Sequence, residues 1–337
     1  MKKLAKLISL LICAAMLFSF AACTSDQEND NNTTTAQASV DNTTVNVAAL
    51  KGPTGMGMSG LIKDDGQFKV SIAASPDEIA PMIIKKEADI VACPLNLASV
   101  LYKKTNGGVK MIAVNTLGVL SVLENGDTVK SVADLKGKKI GATGQGATPE
   151  YILNYILTAN GIDPEKDVEI TYYQEHAELA TMLLEGKVNI AMLPQPNVTT
   201  VLVQNPTIRT ALDLTEEWEK ATAQSGKQTS LAQGCLVVRT EFLNEHPEAV
   251  KAFLNAYKES VDFTNQKPDE AAAVIASSGI LPKAQIALKA IPNCNIVYID
   301  SDEMATIAKA NLEVLFKANP ASVGGAMPDD NFYYTEK

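Results

Sequence analysis

The 337-residue chain carries only two histidines, His176 and His246, the side chains best suited to proton transfer near neutral pH. His176 follows Glu175 at a predicted strand end, where an imidazole and a carboxylate could serve as acid and base on a carboxylate metabolite. His246 precedes Pro247 at a predicted helix start and reads as structural. No HExxH, no GxSxG elbow and no GK[ST] phosphate loop occurs, and no cysteine lies close to either histidine in sequence. These absences predict a protein that is not an enzyme and needs neither cofactor nor metal.

Binding chemistry is better represented than catalysis. The stretches Gly52-Pro53-Thr54-Gly55-Met56-Gly57 and Gly141-Ala142-Thr143-Gly144-Gln145-Gly146 both read GxTGxG. Glycines allow positive φ and a close backbone approach, and helix starts present unpaired N–H groups to a ligand. Thr148 before Pro149 fits an N-cap followed by the first helical residue. A dinucleotide fingerprint is excluded, because Pro149 stands where the third small residue belongs. Trp218 and the pair Tyr172 and Tyr173 could stack a ring, but Trp218 sits among charges and reads as cover for a core edge.

The elements that must position these residues alternate. Strands are predicted at 45–50, 69–73, 89–92 and 110–114, with helices at 77–86 and 97–103 between them. A second series follows, with strands at 138–142, 168–172, 189–192 and 207–212 and helices at 149–160, 177–185 and 198–203. This is α/β architecture in two lobes. The run Glu87-Ala88-Asp89-Ile90-Val91-Ala92-Cys93-Pro94 returns one hundred residues later as Lys187-Val188-Asn189-Ile190-Ala191-Met192-Leu193-Pro194, as expected of a duplicated lobe pattern. The extended apolar stretches 116–123 and 234–239 read as two hinge strands. The predicted boundaries are 44–118 for the first part of lobe I, 119–235 for lobe II and 236–337 for a helical return to lobe I. Ligands of such sheets sit where strands end and helices begin. That places candidate loops at 51–58, 94–97, 115–116, 144–148, 174–176 and 194–197.

Upstream, Lys2, Lys3 and Lys6 precede an apolar run and then Phe20-Ala21-Ala22-Cys23, the three-part pattern of a secretory signal. A cysteine directly after the small residues resembles a bacterial lipobox. Residues 1–22 are therefore predicted to be a lipoprotein signal peptide, with Cys23 acylated and the body held outside the cytoplasm on the cell membrane. Residues 23–43, rich in Asn, Thr and Asp, cannot bury enough apolar surface to fold and are predicted to be a disordered tether. The net charge of −10 argues against nucleic acid, and contact with membrane is expected through the N-terminal lipid alone. Cys93, Cys235 and Cys294 match neither a disulfide framework nor a zinc site and read as buried thiols.

Taken in order, the lipobox, the polar tether, the Gly-rich first loop, Ala88-Asp89-Ile90-Val91, Leu135-Lys136-Gly137-Lys138-Lys139-Ile140-Gly141, Gly186-Lys187-Val188-Asn189-Ile190-Ala191 and the helical return resemble one known group. It is the nitrate/sulfonate/taurine and thiamine-pyrimidine group of ABC-transporter solute-binding proteins. The resemblance covers nearly all of the body. It implies a type II periplasmic-binding fold of mostly parallel sheets joined by two hinge strands, closure around one small molecule, and a monomer docking onto a permease with its ATPase. Carried over by position, the implied contacts are Gly52, Pro53, Thr54, Gly55, Met56, Asn96, Asn115, Gly144, Gln145, Gly146, Ala147, Thr148, Gln195 and Gln233. His176 joins them on its own placement. The chain departs from anion-binding members in having almost no Arg or Lys in these loops, Lys51 excepted, and it lacks the His- or Cys-rich run of pyrimidine-synthesising relatives. The expected ligand is thus a small anionic or polar solute, sulfonate-, nitrate- or taurine-like, or a pyrimidine. Two alternatives stay open, a lyase-type enzyme using Glu175 and His176, and a ligand sensor.

Overall fold

The computed structural model describes residues 41, 43–226 and 228–335. The predicted signal segment, Cys23 and nearly all of the tether lie outside the described residues. Asp41 and Thr43 approach His246, with Asp41 Oδ2 at 3.2 Å and Thr43 Oγ1 at 3.3 Å from its Nδ1. His246 thereby ties the start of the chain to the helix Pro247–Gln266.

Eleven strands among the described residues form two sheets: β1 Val45–Leu50, β2 Phe68–Ala73, β3 Ile90–Pro94, β4 Val109–Leu117, β5 Leu120–Glu124, β6 Lys139–Thr143, β7 Glu169–Tyr173, β8 Ile190–Pro194, β9 Arg209–Asp213, β10 Ala232–Arg239 and β11 Ile296–Ile299. The first sheet runs β11-β4-β10-β3-β1-β2 and the second β7-β6-β8-β5-β9. Central strands such as β3 are buried on both faces, whereas the edge strand β2 alternates half-buried with exposed residues, the difference expected between a covered strand and an edge.

The two sheets share one plan. β1 pairs in parallel with β2 and β3, as β6 does with β7 and β8, through helical crossovers. An antiparallel strand then lies beside the third strand, β10 beside β3 and β5 beside β8. The repeated sequences at 87–94 and 187–194 fall on β3 and β8, equivalent strands of the two sheets. The GxTGxG match does not survive in the same way: Gly52 follows β1, but Gly141 lies inside β6, and the glycine that follows β6 is Gly144. The two-sheet α/β class is as expected, with one correction of proportion. The sheets are mixed rather than mostly parallel, because β4, β5, β9, β10 and β11 all pair antiparallel.

One passage is short. β4 ends at Leu117 in the first sheet and β5 begins at Leu120 in the second, with Gly118 and Val119 between them. A Cβ on Gly118 would stand 2.1 Å from Thr215 Oγ1, so only glycine fits there. The return passage follows the helix Leu214–Gln224, which no strong apolar periodicity announces in the sequence. Its Trp218 is buried and donates from Nε1 to the Thr229 carbonyl at 3.1 Å. The chain re-enters the first sheet at Ala232.

The long helix Pro247–Gln266 starts with proline at its first turn and buries Val250, Phe253, Leu254, Tyr257 and Val261, a one-sided stripe at helical spacing. Burial of such side chains in the first lobe contributes about 1.5–3 kcal/mol each. Cys93, Cys235 and Cys294 are free and buried as expected. Burial pushes the Cys294 thiol up to about 12, which makes it inert. No helix among the described residues is long and apolar enough to cross a membrane.

Candidate functional site

A cavity of about 930 Å³ opens between the sheets, within the size range of small-molecule sites. Strand ends and helix starts from both halves build it. β1 delivers Lys51, Gly52 and Pro53, β8 delivers Pro194 to Asn197, and the helices Pro76–Ile84, His176–Leu184 and Asn197–Gln204 each bring their first residue to the wall. Gly52 has φ +93°, a turn that lets Pro53 begin a helix straight after the strand. A segment far away in sequence completes the wall, with Ile280, Leu281, Pro282, Lys283 and Ile286 opposite Val203.

Its electrostatics differ from those of the chain as a whole. Although the protein has 39 acidic residues, no carboxylate among the described residues lines the cavity, while Lys51 and Lys283 do. The three helix starts add partial positive charge, offset by first-turn carboxylates at two of them, Asp77 and Glu78 on Pro76–Ile84 and Glu178 on His176–Leu184. His176 is bonded to Thr143 Oγ1 through Nδ1 at 2.7 Å. Burial pushes its imidazole below the ordinary value, against a smaller opposite pull from Glu175, so it is a neutral hydrogen-bonding group at neutral pH.

Of the residues singled out by sequence, Gly52, Pro53, His176 and Gln195 line this cavity. Asn96 and Thr148 instead meet each other across the two halves, Thr148 Oγ1 donating to Asn96 Oδ1 at 3.0 Å. Gly144, Gln145, Gly146 and Ala147 form the loop before Thr148 and stand outside the cavity lining, with Gly144 and Gly146 at positive φ. Gly55 and Met56 turn into the core, where Met56 lies 3.8 Å from the Cys294 sulfur. Gln195 and Gln233 both serve the passage between sheets. The Val119 N–H donates to Gln233 Oε1 at 2.6 Å, the Gln195 N–H donates to the Val119 carbonyl at 2.9 Å, and Gln195 Oε1 accepts from Thr199.

Asn115 occupies a different setting. Its side chain is buried against the Tyr257 hydroxyl, which interacts with it, and Thr116 Oγ1 is buried beside them. A Cβ on Gly234 would come within 2.6 Å of Asn115 Oδ1 and 2.8 Å of Thr54 Cγ2, and one on Gly57 within 2.6 Å of the Tyr257 hydroxyl. Two glycines thus keep the space around a small polar cluster of Thr54, Asn115, Thr116 and Tyr257. Thr116 carried a sequence signal as a strand-end residue beside Asn115. Tyr257 carried none, being one aromatic in a helical stripe, and neither did Lys283.

A family model described as "NMT1/THI5 like" matches residues 69–271. Among solved structures, an ABC transporter protein from Parabacteroides distasonis superposes with a TM-score of 0.74 at 23% identity, over 88% of this chain and 100% of that one. The periplasmic aliphatic sulphonate binding protein SsuA from Escherichia coli gives 0.65 at 17% identity, over 82% and 93%. The periplasmic nitrate-binding protein NrtA from Synechocystis PCC 6803 gives 0.58 at 12% identity, over 82% of each chain. These likenesses establish the periplasmic-binding fold. A Brucella abortus (strain 2308) protein named as a binding protein is 24% identical over 190 residues, 56% of each chain, so the match spans little more than half the length of that relative.

Proposed function

The chain belongs to the NMT1/THI5-like family, and from that premise we propose that it is the extracytoplasmic solute-binding component of an ABC importer. It captures a small anionic or acceptor-rich polar solute between its lobes and hands it to a permease with its ATPase. One observation carries this reading: in an acidic chain, the described residues that line the interlobe cavity include two lysines and three helix starts and no carboxylate. Fixed positive ends and cations in a partly dry cleft favour an anion without any change in the protein's own protonation. The names of the structural neighbours, a sulphonate-binding and a nitrate-binding protein, point to the same class. Closure follows from walls contributed by both sheets, since a solute touching both halves binds best when they are together.

Attachment through an acylated Cys23, with the body outside the cytoplasm, belongs to this proposal and keeps the carrier beside its importer. The lyase alternative rests on His176 and Glu175, but the His176 nitrogen that is hydrogen bonded pairs with Thr143 and not with an acid, which suits orientation of a ligand better than proton transfer. Thermal-shift measurement of the purified chain against sulfonates, small inorganic anions and pyrimidines tests the proposal, because binding to the folded state raises the melting temperature. A saturable rise with one of these classes is expected. No rise with any of them, together with turnover of a carboxylate metabolite, would sink it.

A further inference from the structure

The helix Asn197–Gln204 stands between two cavities. Asn197, Thr200, Val203 and Gln204 line the one described above, whereas Val198, Thr199 and Leu202 line another of about 250 Å³. At about 100° per residue the two sets point to opposite sides of the helix, and among the described residues only Val119 and Gln195 belong to both walls. Ser121, Thr210 and Asp213 of the second sheet reach this other cavity, together with Asn293 and Asn295 from the segment before β11.

Its charge is opposite to that of the first cavity. Asp213 is the one charged side chain on the lining among the described residues. Its Oδ1 accepts from the Thr215 N–H at the start of the helix Leu214–Gln224, and its other oxygen takes no hydrogen bond from the described residues. Ser121 is the register partner of Asp213 on the neighbouring strand β5, so the two side chains leave the same sheet face about 5 Å apart. Ser121 is only 8% exposed, yet its hydroxyl has no hydrogen-bond partner among the described residues and stays within reach of solvent through the cavity. A buried hydroxyl left unpaired is costly, and an N–H supplied by a ligand relieves it. Val198 and Leu202 bring apolar side chains to the same lining.

We propose that this cavity binds a small alkylammonium ion, whose N–H groups donate to the Asp213 carboxylate and to Ser121 Oγ and whose alkyl part lies against Val198 and Leu202. A neutral alcohol of the same length keeps the apolar contact but lacks the charge. A quaternary ammonium keeps the charge but has no N–H to donate. Both are therefore poor substitutes.

Butylammonium chloride is the probe, titrated calorimetrically into the full-length protein at an ionic strength held constant with sodium chloride. Saturable binding is expected with a dissociation constant in the millimolar range, as suits a ligand of about five heavy atoms. Butan-1-ol and tetramethylammonium are expected to bind about tenfold more weakly or worse. Asp213→Asn removes the charge and keeps the helix cap, since asparagine caps as well as aspartate. Thr210→Trp, at an exposed position on the edge strand β9, fills the cavity from its rim. Each variant is expected to weaken butylammonium about tenfold or more, and Ser121→Ala about threefold. Heat that does not saturate, or binding unchanged in Asp213→Asn or in Thr210→Trp, overturns the site. Butan-1-ol binding as tightly as butylammonium overturns the ligand class. Tetramethylammonium binding as tightly, or Ser121→Ala without effect, overturns the hydrogen bond to Ser121.

Discussion

The loops that follow β1 and β6 occupy equivalent places in two sheets of the same plan, yet they are built in opposite ways. The first, from Gly52 to Met58, is sunk into the lobe, with Gly55, Met56 and Met58 buried and the Ser260 hydroxyl donating to the Gly57 carbonyl at 2.7 Å. The second, from Gly144 to Thr148, lies at the surface, and its Thr148 reaches across to Asn96 of the other lobe. One loop is part of a rigid wall. The other is an outer edge that touches the opposite lobe through a single side-chain hydrogen bond. In a binding cleft, a preformed wall lowers the ordering cost of capture, and under the proposed function closure falls to the outer edge.

Substitutions can break this contrast. The largest effect is expected at Gly55, where a Cβ would lie 2.4 Å from the Leu50 carbonyl oxygen. Both atoms belong to backbone, so the loop must shift, and Gly55→Ala should cost about 3 kcal/mol, measured as a drop in the denaturation midpoint. At Gly146 a Cβ meets nothing within 4 Å, and only its φ of +73° resists substitution. Gly146→Ala should therefore cost about 1 kcal/mol. Equal costs at the two positions would contradict the assignment of one loop to the core and the other to the surface.

The smallest effect concerns pH, through His176 at the start of the helix His176–Leu184. Folding favours its neutral ring, so below the ordinary value of 6.5 the unfolded chain binds the extra proton first. The contribution is complete above that value and is lost as pH falls through the lower value of the folded protein. Melting temperatures recorded from about pH 7 to about pH 5 should decline, and His176→Gln should remove part of that decline. A slope identical in the variant would mean that other groups carry it.

Much of this was legible in the letters. The strand pattern emerged because β-branched runs ending in Pro, Gly or Asn mark strands, and the repeated Ile-Pro spacing of 87–94 and 187–194 located the equivalent strands β3 and β8. Gly52, Pro53, His176 and Gln195 were found at the cleft because strand ends in such sheets face it. The rest depends on what folding brings together. The wall at 280–286 comes from a segment well beyond the last predicted hinge, and no local pattern says which loop it will face. Gln233 reads as a ligand contact because an amide side chain suits a polar solute, and in the fold its Oε1 accepts from the Val119 N–H, a partner no local pattern announces. The six-letter glycine match misled because glycine serves a strand interior at Gly141 and a turn at Gly52 for unrelated reasons.

The position of β10 sets an order of events during synthesis. It lies between β3 and β4 in the first sheet and pairs with both, but it leaves the ribosome only after every strand of the second sheet has been made. The second lobe, continuous from β5 to β9, can therefore assemble while β3 lacks one neighbour and β4 lacks both of its own, β10 and β11. Those edges are the chain's most exposed aggregation surface until residues 232–239 arrive. A nascent chain halted just before Ala232 should hold a protease-resistant second lobe and an unfolded first one.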